Sequence, residues 1–245
     1  MDTDTTHHQR EAAERRRIGS GVVPALVVPF IGAMIYFVFW AGTPVAVVVY
    51  VATKLFTVAW PVVARFGVER GVFRFQPASQ VNRRRSIVWG VGSGVLIAGL
   101  MLVVVYATTV GGYVERHAGN IVARINDFRL TTPGRFVLFA TFICIVHSGI
   151  EEYYWRWYVY GRLTAVTGAV TAHVIAGLAF SAHHFVVLGC YFSVVGTAVF
   201  GVLVGVGGAI WSVLYHRTGS LVGSWLSHAL VDAAIMVVGY RLAFA

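Results

Sequence analysis

Residues 147–162 read His147-Ser148-Gly149-Ile150-Glu151-Glu152-Tyr153-Tyr154-Trp155-Arg156-Trp157-Tyr158-Val159-Tyr160-Gly161-Arg162. Two adjacent carboxylates, Glu151 and Glu152, close an apolar run that opens near Phe136, and Arg156 follows one helical turn later. An ionisable group at membrane depth is costly and marks a functional site by default. The remainder of the sequence reads as the cage around this stretch.

The bulk numbers fix the class. The chain has 245 residues, 58% hydrophobic and 12% charged, and its mean hydropathy is +0.74. A soluble domain is about half apolar and about a quarter charged. The expectation is an all-α, polytopic transmembrane bundle of about seven or eight spans. Apolar runs of the ~20 residues a bilayer requires fall near 22–42, 44–64, 87–110, 134–160, 166–187, 191–215 and 220–240. Each must be helical, because an open strand would leave backbone groups unsatisfied in lipid. The first run lacks a small-residue cleavage site and reads as a retained helix rather than a signal peptide.

The formal charge of +9 invites a nucleic-acid reading. The arginines, however, sit in short loops between apolar runs, where topology and anionic headgroups account for them. The expected partner of these basic segments is the lipid bilayer, with no nucleic acid. Cys144 and Cys190 show no disulfide or zinc-knuckle spacing.

Three segments follow from composition. Residues 1–20 form a polar, basic cytoplasmic tail ending in Arg15-Arg16-Arg17, expected to lack fixed structure or to lie on the membrane surface. Residues 21–130 hold the N-terminal transmembrane helices. They include an Arg-rich loop at 65–86 (Arg65, Arg70, Arg74, Arg83, Arg84 and Arg85) and an interfacial segment at 111–130. In that segment Ile121, Val122, Ile125 and Phe128 recur at helical spacing opposite Arg124 and Asp127. Residues 131–245 form a third segment, the membrane core that holds the stretch 147–162. With seven spans, the arginine bias places the N-terminus in the cytoplasm.

Small residues at four-residue spacing, Gly90/Gly94, Gly201/Gly205 and Gly219/Gly223, read as close helix packing. The Tyr and Trp residues of 153–160 fit an interfacial belt or the lining of a cleft equally well.

On a helix, Glu151 and Glu152 point about 100° apart and serve different roles. Glu152 and Arg156 are spaced i,i+4, so Arg156 is the obvious partner of Glu152, leaving Glu151 for chemistry. His147 lies one turn before Glu151 on the same face. The next helix carries Phe180-Ser181-Ala182-His183-His184, and the last carries His228 with Asp232 one turn on. A lone buried histidine is more often bonded to a carbonyl than catalytic. Acid or imidazole on each of three helices weakens that reading, since bundle sites are built from facing helices. His173 is taken as structural, His183 as a lesser candidate, and Lys54 has no assigned role.

These motifs resemble the CAAX-protease and bacteriocin-processing family of intramembrane endopeptidases, the family of the Ras-converting prenyl protease. Its Glu-Glu-x-x-x-Arg motif is matched by Glu151 to Arg156, its Phe-x-x-x-His by Phe180 to His184, and its His-x-x-x-Asn/Asp by His228 to Asp232. Tyr215 to Leu221 is similar to the family's link into the last motif helix. The likeness spans roughly 134–240, and residues 1–130 carry no comparable signature.

The resemblance implies peptide hydrolysis. Glu151 with His184 would hold and deprotonate a water, and His228, oriented by Asp232, would stabilise the oxyanion. Glu152 and Arg156 complete the catalytic set. Asp in place of Asn at 232 makes Asp232 a supporting residue, because an ionised carboxylate cannot donate to an oxyanion. Glu151, His184 and His228, with His147 or Asp232 as a fourth, also make a plausible N/O set for zinc, so glutamate-dependent and metallo-endopeptidase chemistry both stay open. The metal-free route is favoured. The substrate is a peptide or protein, prenylated or otherwise membrane-associated, and the short chain points to a prokaryotic cell membrane. A non-catalytic scaffold or bacteriocin-immunity protein of the same fold, and a proton- or cation-coupled transporter, are the alternatives.

Overall fold

A computed structural model describes residues 2–70 and 80–245, with side chains described for 8–70 and 82–245. Nine helices organise the described residues. They are α1 (Asp2–Ala33), α2 (Pro44–Val63), α3 (Gln80–Ala107), α4 (Thr109–Arg116) and α5 (Ala118–Asp127), followed by α6 (Pro133–Thr167), α7 (Ala169–Gly189), α8 (Val194–Thr218) and α9 (Leu221–Phe244). Among the described residues, seven are long and apolar enough to cross a membrane: all but α4 and α5. The protein is an all-α, polytopic helical bundle.

Local chemistry sets the helix ends. Thr43 caps α2 and Thr132 caps α6, each followed by a proline whose missing N–H costs nothing in the first turn. Ser193 caps α8 by accepting from Gly196 N at 3.4 Å, and Ser220 caps α9 by accepting from Val222 N at 3.3 Å. At the far end of α8, Gly219 takes φ +65° and its N–H donates to Tyr215 O at 2.8 Å. This left-handed residue ends α8 so that α9 can begin two residues later. Gly219 therefore serves as a helix stop, and the packing reading of the Gly219/Gly223 pair holds for Gly223 alone.

Two further expectations change. α1 starts at Asp2, so the polar tail read as unstructured is helical and continuous with the first span. Tyr154, Trp155, Tyr158 and Tyr160 are buried at 3% exposure or less, which rules out an interfacial belt for these four. Tyr153 and Trp157 are the more exposed pair, stacked at 5.1 Å. Part of the segment 111–130 is helical as α5, with Arg124 Nη1 and Asp127 Oδ2 3.1 Å apart on its exposed face. Arg74 and the middle of the Arg-rich loop lie outside the described residues.

The chain divides into two compact units that interleave in sequence. One comprises Met1–Pro77, Tyr153–Val187 and Gly201–Ser212; the other comprises Ala78–Glu152, Leu188–Phe200 and Val213–Ala245. In the first unit, Tyr154 Oη donates to Ala25 O and Trp60 Nε1 donates to Gly21 O, both at 2.8 Å. The buried Glu69 accepts from Arg65 at 3.0 Å and from Arg162 at 3.3 Å. A Cβ on Gly177 would stand 2.8 Å from Gly205 O, so α7 and α8 meet backbone to backbone.

In the second unit, α3 lies along α9. A Cβ on Gly90 would collide with Gly223 O, and one on Gly94 would stand 2.9 Å from Ser227 Cα. Phe136 packs edge-on to Tyr240 at 5.8 Å and Phe244 at 5.7 Å. Val194, Val170 and Leu138 are 86%, 79% and 73% exposed. Such apolar exposure fits hydrocarbon as the solvent, not water.

Candidate active site

The sequence of α6 brings its two carboxylates to an irregular stretch. Ser148–Glu152 is α-helical, but it is flanked by π-helical Ile143–His147 and Tyr153–Tyr160. π-turns recur at functional positions because the extra residue re-aims side chains.

Within the second unit, four of the sequence-predicted residues and His147 come together. His228 on α9 is 4% exposed, and Glu152 on α6 is 1% exposed. His228 Nδ1 lies 2.9 Å from Glu152 Oε1. With Glu152 ionised, Nδ1–H donates, which fixes the ring's tautomer and orientation. The opposite nitrogen, Nε2, lies 3.7 Å from Glu151 Oε2 and 3.7 Å from Asp232 Oδ1. His147 Nε2 is 3.4 Å from Glu151 Oε1.

Glu151 is thus set between two imidazoles, and His228 among three carboxylates.

Two sequence expectations fare differently here. His147 shares a face with Glu151, as their spacing implies. Asp232 does lie one turn beyond His228, but at 3.7 Å it is outside hydrogen-bond reach. Glu152 is the group that holds the His228 ring. Sequence reasoning missed it because 76 residues separate the two partners.

The first unit holds the remaining motif residues. Arg156, 1% exposed, donates from Nη2 to Gly208 O at 3.0 Å. Its guanidinium carbon lies 4.6 Å from the Phe180 ring and 5.1 Å from the Trp211 ring. A desolvated guanidinium on aromatic faces is strongly held. Phe180 is a hub, touching His184 at 4.7 Å and Trp211 at 5.9 Å.

His184 Nδ1 lies 2.8 Å from Phe180 O, one turn back. Donation from Nδ1–H to that carbonyl makes Nε2 the acceptor of the neutral ring. The Phe-x-x-x-His spacing therefore encodes a tautomer as well as a face. His183 stacks on Trp155 at 5.7 Å, and His173 stacks on Tyr160 at 4.7 Å, in keeping with a structural role for His173. Gly208 and Trp211 carried no signal in the sequence beyond small size and aromaticity.

Residues 133–234 match the family model described as Type II CAAX prenyl endopeptidase Rce1-like, and they contain all three motifs. No curated protein and no solved structure matches the chain significantly. The match covers less than half of the chain and agrees with the resemblance drawn from the motifs. The chain is thus an integral, multi-pass membrane protein in which residues 133–234 are similar to the Rce1-like family of type II CAAX prenyl endopeptidases.

Proposed function

We propose that this protein is an intramembrane endopeptidase in which Glu151 is the general base and His228 the oxyanion donor. The observation that carries the reading is the Glu151 carboxylate set between His147 and His228, with His228 held from behind by Glu152. A water deprotonated by Glu151 attacks the scissile carbonyl carbon, and the Glu151 carboxyl later returns that proton to the leaving amine. With both ring nitrogens protonated, His228 donates from Nε2–H to the oxyanion while its Nδ1–H stays on Glu152, which keeps the ring in place. Asp232 supports the electrostatics of that ring. His184 joins Glu151 in activating the water, a role assigned by the Phe180 to His184 motif. Arg156 anchors the segment that follows the two carboxylates.

The substrate is a membrane-associated peptide or protein, prenylated or unmodified. The arginine distribution supports a cytoplasmic N-terminus. The preferred route is metal-free. If zinc takes part, Glu151, His184 and His228 are the residues to hold it.

The test is cleavage of a fluorogenic farnesylated peptide, alongside a library of unmodified peptides, by detergent-purified protein with and without chelator. Activity that survives chelation and is lost in Glu151→Ala and His228→Ala supports the reading. Loss in chelator with recovery on adding zinc moves the chemistry to the metal class. Cleavage by Glu151→Ala at the parental rate, in folded protein, would sink it.

A further inference from the structure

The family match begins at residue 133, yet α9, which carries His228 and Asp232, is seated on a helix that lies entirely outside that match. We infer that α3 is a working part of the catalytic unit, and that Ser93, with Ser86 and Gly94, positions His228. The inference rests on the proposed role of His228.

Four contacts define the seat, all within the second unit. Ser93 Oγ lies 3.0 Å from Ser227 Oγ, one residue before His228. Gly94 faces the same turn: a Cβ there would stand 2.9 Å from Ser227 Cα and 2.8 Å from Leu230 Cδ1. Gly90 meets the Gly223 backbone one turn earlier along α9. Ser86 Oγ accepts from Gly223 N at 2.9 Å and from Thr218 Oγ1 at 3.3 Å, and donates to Ser220 O at 3.5 Å. Ser86 is completely buried.

This is more than tight packing. Glycines alone would permit α9 to turn or slide along α3. The hydroxyls remove that freedom. Ser86 binds a first-turn N–H of α9, which fixes its height, and Ser93 binds Ser227, which fixes its rotation. Neighbouring residues on a helix differ by about 100° in direction, so the direction of Ser227 sets that of His228. The His228 ring has to reach Glu152 at 2.9 Å, a contact that a tilt of α9 by a fraction of an ångström would lengthen. In lipid the preference of α9 for one rotation must come from such packing and hydrogen bonds, because no hydrophobic force acts between helices.

The experiment uses full-length protein in detergent and two readouts. The first is independent of activity: the imidazole 15N resonances of His228, assigned with His228→Gln. They are expected to move in Ser93→Ala and to return towards the parental position in Ser93→Thr, which restores the hydroxyl. They are expected to stay in place in Gly99→Ala, a substitution on the same helix that meets nothing within 4 Å. The second is turnover of the farnesylated peptide. Ser93→Ala and Gly94→Ala should lower kcat by roughly 5- to 50-fold with KM within about twofold. A purely structural role would lower folded yield and leave kcat and the resonances of the folded fraction alone.

His228 resonances unchanged in folded Ser93→Ala would overturn the inference whatever the activity. Loss of the protease reading is seen separately, as parental cleavage by Glu151→Ala. If Gly94→Ala fails to fold, Ser93→Ala and Ser93→Thr still decide the matter.

Discussion

Around His228 three carboxylates from two helices crowd one imidazole, whereas Arg156 is bedded on the rings of Phe180 and Trp211 and bonded to a backbone carbonyl. Both centres are nearly sealed from solvent and both contain ionisable groups. They differ in what their partners can do. Carboxylates and imidazoles are groups that can take up and release a proton, whereas aromatic faces and a backbone carbonyl cannot, and a guanidinium remains charged. Under the proposed function the first centre would serve turnover and the second anchorage, even though the same motif supplies a residue to each.

That contrast can be broken by substitution. The largest effect belongs to Glu151→Ala: peptide cleavage should fall by roughly 10²- to 10⁴-fold, the range of a lost general base, with thermal unfolding in detergent close to parental. Should Glu151→Ala unfold the protein instead, the cluster would be structural and the contrast would vanish.

Glu152→Ala should affect both quantities, because it leaves His228 buried without the group that holds it. Removing one partner of a buried charged pair costs about 3–5 kcal/mol, and His228 loses its orientation. Circular-dichroism melting and kcat should fall together, and His228→Ala made in the same background should add little. Full additivity of the two would contradict the contact.

Arg156→Lys sharpens the other side. An ammonium keeps the charge and forfeits the flat guanidinium that lies on two rings, so stability should drop by about 2–4 kcal/mol. The fraction that remains folded should show the parental dependence of kcat on pH. A changed pH profile would bring Arg156 into the proton chemistry and erase the division of labour.

The smallest expected effect is at Gly219→Ala, where a Cβ in the left-handed region costs about 1 kcal/mol. Its measure is a modest fall in melting temperature with kcat unchanged. It separates the helix stop from the seat that α3 provides further along α9.

Much of this was open to reading from residues alone. Apolar runs of spanning length are dictated by bilayer thickness, so the seven candidate spans and the all-helical class follow from hydropathy. A shared helix face also follows from spacing: His147 does meet Glu151. The α-helical register gave no warning of the π-helical turns on either side of Ser148–Glu152. Aromatics at 153–160 fitted a membrane interface or a cleft lining equally well, and four of them are interior. Nothing local tells a ring that packs under neighbouring helices from one that faces headgroups.

The sequence by itself determined the solvent this protein lives in, the helices that result, and the identity of the titratable groups, because hydrophobicity and side-chain chemistry are properties of each residue. Only the tertiary structure decided which groups meet. That Glu152 rather than Asp232 holds His228, that Gly208 and Trp211 receive Arg156, and that Ser93 touches Ser227 are matters of contact between segments distant in the chain. Such contacts depend on the rotation and height of whole helices, which packing sets and which no window of sequence records.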